Sequence, residues 1–146
     1  MNKILSIDPS GTGTSGCFFT NGTQSEFHQF QAKEWKAHLA FIIALIKAKQ
    51  PIFLLYEDTN YISQRTKDGL SLFRLLGALE ALTIVKETIN VLKVKGLYKQ
   101  ILAGQVQIEG LTYQIGRGKG WIFQGKRISI HCLDALLIYH LWKKSQ

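Results

Sequence analysis

The stretch KILSIDPSGTGTSG, residues 3–16, places one acid, Asp8, directly after a short apolar run and follows it with small residues. The apolar run is typical of a buried strand, and the small residues are typical of a tight turn after it. The segments TSGCFFT (14–20) and TQSEFHQF (23–30) follow, and the Asn-Gly pair between them is a strong hairpin signal. The chain is therefore predicted to open with three antiparallel strands.

Alternating helices and strands are predicted for the rest of the chain. Residues 33–49 have helical periodicity and stop before Pro51, and the run IFLLY (52–56) is typical of a central parallel strand. The further predicted elements are an apolar helix over 69–86, a fifth strand over 90–95, a short helix near 97–103 and a helix over 130–144. This order predicts an α/β fold in a single domain, residues 1–146, with a mixed five-stranded sheet flanked by helices.

Three acids are expected to meet at one edge of this sheet. Asp8 and Glu57 each follow an apolar strand, and the carboxyl ends of parallel strands share an edge where ligands gather. Asp134 comes from the segment HCLDALLIYHLW, where its spacing of three from His131 places both on one helix face. Each acid alone is more simply a structural residue. Together, three carboxylates in a basic protein suit Mg²⁺, and two such ions can hydrolyse a phosphodiester.

The positive charge of the chain favours a nucleic acid as partner. The net charge is +8, and residues 86–127 hold eight bases against two acids. The bases of this segment are Lys86, Lys93, Lys95, Lys99, Arg117, Lys119, Lys126 and Arg127. A solvated basic face that only aids solubility is the alternative interpretation.

Composition also bounds the compartment and the chemistry. The longest apolar stretch, AHLAFIIALI (37–46), is shorter than the roughly 20 residues that a membrane helix needs. Two cysteines, Cys17 and Cys132, form neither a disulfide framework nor a metal cluster, so both are expected to be reduced. We expect a cytoplasmic protein that has no membrane partner.

Four segments resemble a known family. ILSIDPSGTGTSG (4–16), LLYED (54–58), GLSLFRLLGALEAL (69–82) and HCLDAL (131–136) are similar to segments of RuvC-type Holliday junction resolvases, in a short, phage-like form. That family belongs to the RNase H-like superfamily, so the resemblance implies an RNase H-like fold. Residues 96–128 match the family poorly, and they include the basic, glycine-rich segment IGRGKGWIFQGKR (115–127).

The resemblance implies a site, a cofactor and partners. In the family, the acids that match Asp8, Glu57 and Asp134 bind metal, and the position of His131 also serves the site. The implied cofactor is a pair of Mg²⁺ ions, for which Mn²⁺ substitutes, with no small-molecule cofactor. The implied activity is cleavage of branched DNA by a homodimer in a bacterial cell or a phage-infected host, and we expect the 69–86 helix in the dimer interface.

The loop after Glu57 is the predicted wedge of the enzyme. Family members insert an aromatic residue into the junction centre shortly after the matching acid, and Tyr61 is the nearest aromatic here. The predicted DNA contacts are Tyr61, Arg65, Lys67, Lys93, Lys95, Arg117, Lys119, Lys126 and Arg127.

Two other functions compete with this interpretation. A ribonuclease H acting on RNA–DNA hybrids has a related fold, but it usually carries a catalytic Glu on its first helix, where this chain has only Glu34 at the start. A non-catalytic DNA-binding module with the same fold is the second alternative. The complete set of acids argues against such a module, because clustered carboxylates are costly to retain.

Overall fold

Five strands form the central sheet of the computed structural model, which describes residues 2–59 and 62–146. The strands are β1 (Ile4–Asp8), β2 (Thr14–Thr20), β3 (Ser25–Gln31), β4 (Phe53–Asp58) and β5 (Val85–Asn90), in the order β3-β2-β1-β4-β5. The first three strands are antiparallel, whereas β4 runs parallel to β1 and β5 runs parallel to β4. The predicted mixed sheet is confirmed.

Four helices of the described residues cover the two faces of the sheet. They are α1 (Trp35–Lys49), α2 (Lys67–Glu80), α3 (Val91–Leu102) and α4 (Ile130–Lys144). The adjacent residues Leu54 and Leu55 of β4 show the two-sided burial, because side chains alternate along a strand. Leu54 packs in the cluster under α1 and α2, and Leu55 packs in the cluster under α3 and α4.

Two sequence predictions near the edge of the sheet are wrong. Residues 91–95 of the predicted strand 90–95 form the start of α3 instead. The predicted helix over 69–86 ends at Glu80, and the fifth strand is β5, which begins at Val85. The Asn90 side chain accepts a hydrogen bond from the Leu92 amide at 2.8 Å and caps α3. Val94 and Leu97 are buried at a helical spacing of three, a pattern that the apparent alternation of residues 92–95 concealed.

A second, smaller sheet lies in the segment that matched the family poorly. Its strands are β6 (Leu111–Gln114), β7 (Gly120–Phe123) and β8 (Lys126–Ile128), paired antiparallel in that order. Trp121 and Phe123 of β7 are buried. The centroid of the Trp121 ring lies 5.7 Å from that of Tyr98, and the centroid of the Phe123 ring lies 6.2 Å from that of Phe18. The small sheet is thus anchored on the main core. In the described parts of the chain, no helix combines the length and apolarity needed to cross a membrane.

Candidate active site

The ends of β1 and β4 bring two of the predicted acids together. The two strands pair in parallel with Ile7 opposite Tyr56. The next residues along the two strands are Asp8 and Glu57, at the carboxyl edge of the sheet. The predicted placement of both acids at one edge is therefore confirmed.

Close packing of α4 on the sheet brings the third acid to the same place. Gly16 pairs with Asp8 across β1 and β2, and a Cβ atom at Gly16 would overlap the backbone carbonyl of His131. The buried Ser6 hydroxyl donates a 2.7 Å hydrogen bond to the Ala135 carbonyl. These contacts seat the first turns of α4 directly over β1 and β2, so that Asp134 lies beside Asp8. Neither Gly16 nor Ser6 was predicted as a supporting residue from the sequence.

The three carboxyls interact strongly with each other. Burial raises the pKa of Asp8 to about 8, with additional effects from Glu57, Asp134 and a hydrogen bond with Asp134. Burial and Asp134 raise the pKa of Glu57 to about 7, against the opposing effect of Lys95. Burial also raises the pKa of Asp134, opposed by His131 and by the hydrogen bond with Asp8. The pKa of each of the three carboxyls is therefore above its usual range, because burial and neighbouring negative charge both disfavour ionisation.

The donor chemistry of this cluster fits a divalent cation. Within residues 2–59 and 62–146, no three acid, histidine or cysteine side chains stand in a ready-made metal-binding arrangement. Asp8 and Glu57 nevertheless lie at the ends of paired strands, and Asp134 is close enough to raise the pKa of both. A cation would favour the ionised form of these carboxyls, whose oxygens are the ligands that Mg²⁺ prefers.

A buried histidine holds the loop that follows Asp8. The Ser10 amide donates to the Ser15 hydroxyl at 2.9 Å, and that hydroxyl lies 2.9 Å from Nδ1 of His38. Nε2 of His38 lies 2.8 Å from the Ala32 carbonyl, and the ring is fully buried. His38 is thus an interior residue, and it fixes the small-residue loop beside Asp8.

A cleft extends from the acids along α3. Its volume is about 410 Å³, and Glu57 and Asp134 contribute to its lining. Lys95 and Lys99, one turn apart on α3, lie on its wall, while Tyr98 and Ile130 provide apolar surface. This arrangement can receive a chain that carries negative charge next to the carboxyls. Lys95 was predicted as a DNA contact, whereas Lys99 was noted only as part of the basic segment.

The other predicted contacts lie on several exposed elements. Arg65 and Lys67 are exposed at the start of α2, and Lys93 is exposed on α3. Arg117 and Lys119 are exposed in the loop between β6 and β7, and Lys126 and Arg127 are exposed on β8. Tyr61, the predicted wedge, lies outside the described residues.

Comparisons with known proteins identify the fold. No protein-family profile and no curated protein matches the sequence. The solved structure of T. thermophilus RuvC in complex with a Holliday junction substrate has a TM-score of 0.59 and 15% identity, covering 99% of this chain and 96% of that chain. A second Thermus thermophilus RuvC structure has a TM-score of 0.56 and 18% identity, covering 98% of this chain and 96% of that chain. The chain therefore has the RuvC-type RNase H-like fold, as the resemblance implied.

Proposed function

We propose that this protein is a Mg²⁺-dependent endonuclease that cleaves Holliday junctions and other branched DNA. The proposal depends above all on one observation: Asp8 and Glu57 stand at the carboxyl ends of the paired parallel strands β1 and β4, and α4 brings Asp134 close to both. Burying such a group of acids costs stability, so a role in function is the simplest reason to keep them. The basic cleft beside them, in a chain of net charge +8, suits a phosphodiester substrate.

The side chains of the site have separate roles in this mechanism. Asp8, Glu57 and Asp134, with help from His131, would hold two Mg²⁺ ions, and Mn²⁺ would substitute. When bound, such a pair of ions activates water and stabilises the leaving oxygen of a phosphodiester. Lys95 and Lys99 line the cleft beside these acids and neutralise the charge of the incoming strand. Water is the nucleophile, and no covalent intermediate with the enzyme is needed.

The ribonuclease H alternative lacks a carboxylate where that family needs it. Glu34 precedes α1, and the helix itself contains no acid. The site of this chain therefore has no acid from the first helix, unlike the expected arrangement of a ribonuclease H.

The metal requirement is the first test of this function. A labelled four-way junction incubated with EDTA-treated protein should remain intact, and addition of Mg²⁺ or Mn²⁺ should start cleavage. Cleavage that proceeds at the same rate in EDTA would exclude the metal-dependent mechanism.

The stability of the metal-free protein should depend on Asp8. Folding raises the pKa of this carboxyl from 3.8 to about 8. Between those two pH values, the native state therefore keeps a proton that the unfolded chain has lost. The free energy of unfolding should therefore fall as the pH rises from about 4 to about 8. Asp8→Asn cannot ionise and should be more stable than wild type at pH 8 by on the order of 2 kcal/mol.

Urea unfolding in EDTA at pH 5 and pH 8 measures this difference. Adding Mg²⁺ at pH 8 should then stabilise the wild type and leave Asp8→Asn unchanged, because binding to the native state alone adds stability. Identical pH dependence in the two proteins would show that folding does not raise the pKa of Asp8.

A homodimer is the proposed active form, since two symmetric nicks require two sites related by a two-fold axis. Helix α2 buries Leu75 and Leu79 against its own sheet but leaves Phe73 48% exposed. We place α2 in the interface. The variant Phe73→Glu should therefore shift the mass measured by light scattering from dimer to monomer.

The control for this change is Ile52→Glu, because Ile52 is 55% exposed and lies just before β4, at the opposite edge from the acids. This control should remain dimeric. A monomeric mass for the wild type at micromolar concentration, with and without junction DNA, would rule out the dimer.

Tyr61 is proposed to insert into the junction centre, with Arg65 and Lys67 on neighbouring phosphates. Stacking on an unpaired base contributes about 1–3 kcal/mol, which offsets much of the cost of opening one base step. Tyr61→Ala should leave metal-dependent stability unchanged and slow junction cleavage. A fluorescent base analogue at the junction centre reports unstacking, and equal signals from wild type and variant would refute the wedge.

A further inference from the structure

The hairpin of β6 and β7 carries an unusual tip. Its loop, residues 115–119 with the sequence IGRGK, begins with Ile115, whose surface is 86% exposed. The exposed bases Arg117 and Lys119 follow this aliphatic residue in the same five-residue loop. Ile115 lines one groove together with the exposed Leu102 and Tyr113, and a contiguous exposed apolar surface of this kind marks a binding site.

Hydrogen bonds from the side chains of Gln114 on β6 and Arg127 on β8 hold the loop in its conformation. The Gln114 side-chain amide donates to the Arg117 carbonyl at 3.1 Å. The Arg127 guanidinium, on β8, donates to the Gly118 carbonyl and lies 3.5 Å from the Lys119 carbonyl. Gly118 has a φ of 72°, in the left-handed region that glycine adopts without a steric cost. The Arg127 side chain thus positions the loop, whereas the side chains of Arg117 and Lys119 are exposed to solvent.

The hairpin is joined to the cleft of the candidate active site. The buried Trp121 ring of β7 lies 5.7 Å from Tyr98, and Tyr98 lines the cleft with Glu57 and Asp134. Trp121 also pairs with Ile128, two residues before α4 begins. The tip extends roughly 10 Å beyond that pair, at about 3.3 Å per strand residue. One turn of duplex DNA, about 34 Å, is long enough to span the cleft and the tip.

The positive charge of this region favours a polyanion as the ligand. Residues 110–133 contain four bases and no acid. The bases are Arg117, Lys119, Lys126 and Arg127. An aliphatic wedge flanked by cations is the combination that proteins insert into the minor groove of a duplex.

We propose that the 115–119 loop binds the minor groove of a duplex arm of the substrate. Arg117 and Lys119 contact phosphates on either side of the groove, and Ile115 packs against the base edges. Arg127 acts as a positioning residue that fixes the loop for this contact. The inference depends on the proposed function for the identity of the substrate, and it adds a second DNA-binding element outside the cleft.

A protein partner is the competing occupant. An apolar groove of about 780 Å³ runs behind the tip, and Leu102, Tyr113 and Ile115 are among its lining residues. A second copy of the chain could cover this groove. The excess of bases at the tip favours DNA, and the experiments below separate the two.

Binding of a labelled junction in EDTA, at several salt concentrations, tests the phosphate contacts. The double variant Arg117→Ala/Lys119→Ala should reduce the slope of log affinity against log salt by about 2, because each phosphate contact contributes about 0.9. Ile115→Ala should weaken binding about tenfold with the slope unchanged, because it removes an apolar contact. The matched controls Lys47→Ala/Lys144→Ala and Ile52→Ala change exposed residues on the far side of the molecule and should leave binding unchanged.

A label at the tip reports burial directly. Both native cysteines are buried, so a polarity-sensitive dye should react selectively with the introduced thiol of Ile115→Cys. Its emission should shift to the blue when a linear duplex is added, whereas the same dye on Ile52→Cys should not respond. A shift produced by raising the protein concentration without DNA would overturn the proposal in favour of a second copy.

The outcomes also separate this inference from the proposed function. If the tip variants bind the junction with wild-type affinity and slope while the protein still cleaves it, the hairpin has no role and the nuclease function stands. If the wild type binds no DNA, both proposals fall.

Discussion

Asp8→Asn and Glu57→Gln should each reduce junction cleavage in Mg²⁺ by about 10³-fold or more, the range expected when a group that stabilises transition-state charge is lost. Each substitution keeps the shape of the side chain and removes the charge that holds a cation. Affinity for the junction should persist, because it comes mainly from lysine and arginine contacts to phosphates. It can even increase, since the substitution removes a negative charge near the DNA. Gel assays of cleavage in Mg²⁺ and of binding in EDTA measure the two effects separately.

The control is Glu87→Gln, which neutralises an exposed acid on the edge strand β5, away from the cluster. It should cleave like the wild type. If either Asp8→Asn or Glu57→Gln retained near wild-type cleavage, the assignment of these carboxyls as metal ligands would be wrong.

Gly16→Ala should have the second large effect, although Gly16 carries no reactive group. The added methyl group meets backbone atoms of α4, with the Cys132 amide nitrogen at 2.7 Å, and backbone cannot turn aside as a side chain can. The N-terminal part of α4 must then move away from the sheet and carry Asp134 away from Asp8. We expect a loss of about 1–3 kcal/mol in the free energy of unfolding. Cleavage should fall about 10²-fold, because a displacement of about 1 Å is that costly in a catalytic site.

Urea unfolding and the junction assay measure both consequences. Gly96→Ala is the matched control for stability: Gly96 lies within α3, and a Cβ atom there meets nothing within 4 Å. That change should stabilise the protein by about 0.5–1 kcal/mol. Wild-type stability and activity in Gly16→Ala would contradict the seating of α4 that brings the acids together.

The sequence predicted the framework of the site because strong local patterns carry it. The apolar runs before Asp8 and Glu57 form β1 and β4, and a parallel pair must deliver its following residues to one edge. The predicted helix over 130–144 coincides with α4, whose Ser129 cap and apolar periodicity are both visible in sequence. Local patterns and simple topology were therefore sufficient to group the three acids.

Most of the features that were not predicted from the sequence depend on contacts between distant segments. Gly16 and Ser6 matter only because α4, more than a hundred residues later, packs against them, and a lone glycine or serine gives no such signal. Strand β5 was missed because it is a half-exposed edge strand, with Val85 62% exposed, and so lacks a buried apolar run. The small sheet was missed because its strands contain three or four residues each and are separated by glycines.

The central claim is that the acids at this sheet edge cut branched DNA with the help of a divalent metal ion. One tube that contains Mg²⁺, a four-way junction, a linear duplex and an RNA–DNA hybrid of matched sequence, each with its own label, tests it most directly. The wild type should place paired nicks on opposite strands of the junction and leave the duplex and the hybrid intact, and Asp8→Asn should cut none of the three. Degradation of the RNA strand while the junction persists would contradict the account in favour of a ribonuclease H. Binding of the junction without any cleavage would contradict it in favour of a non-catalytic DNA-binding module.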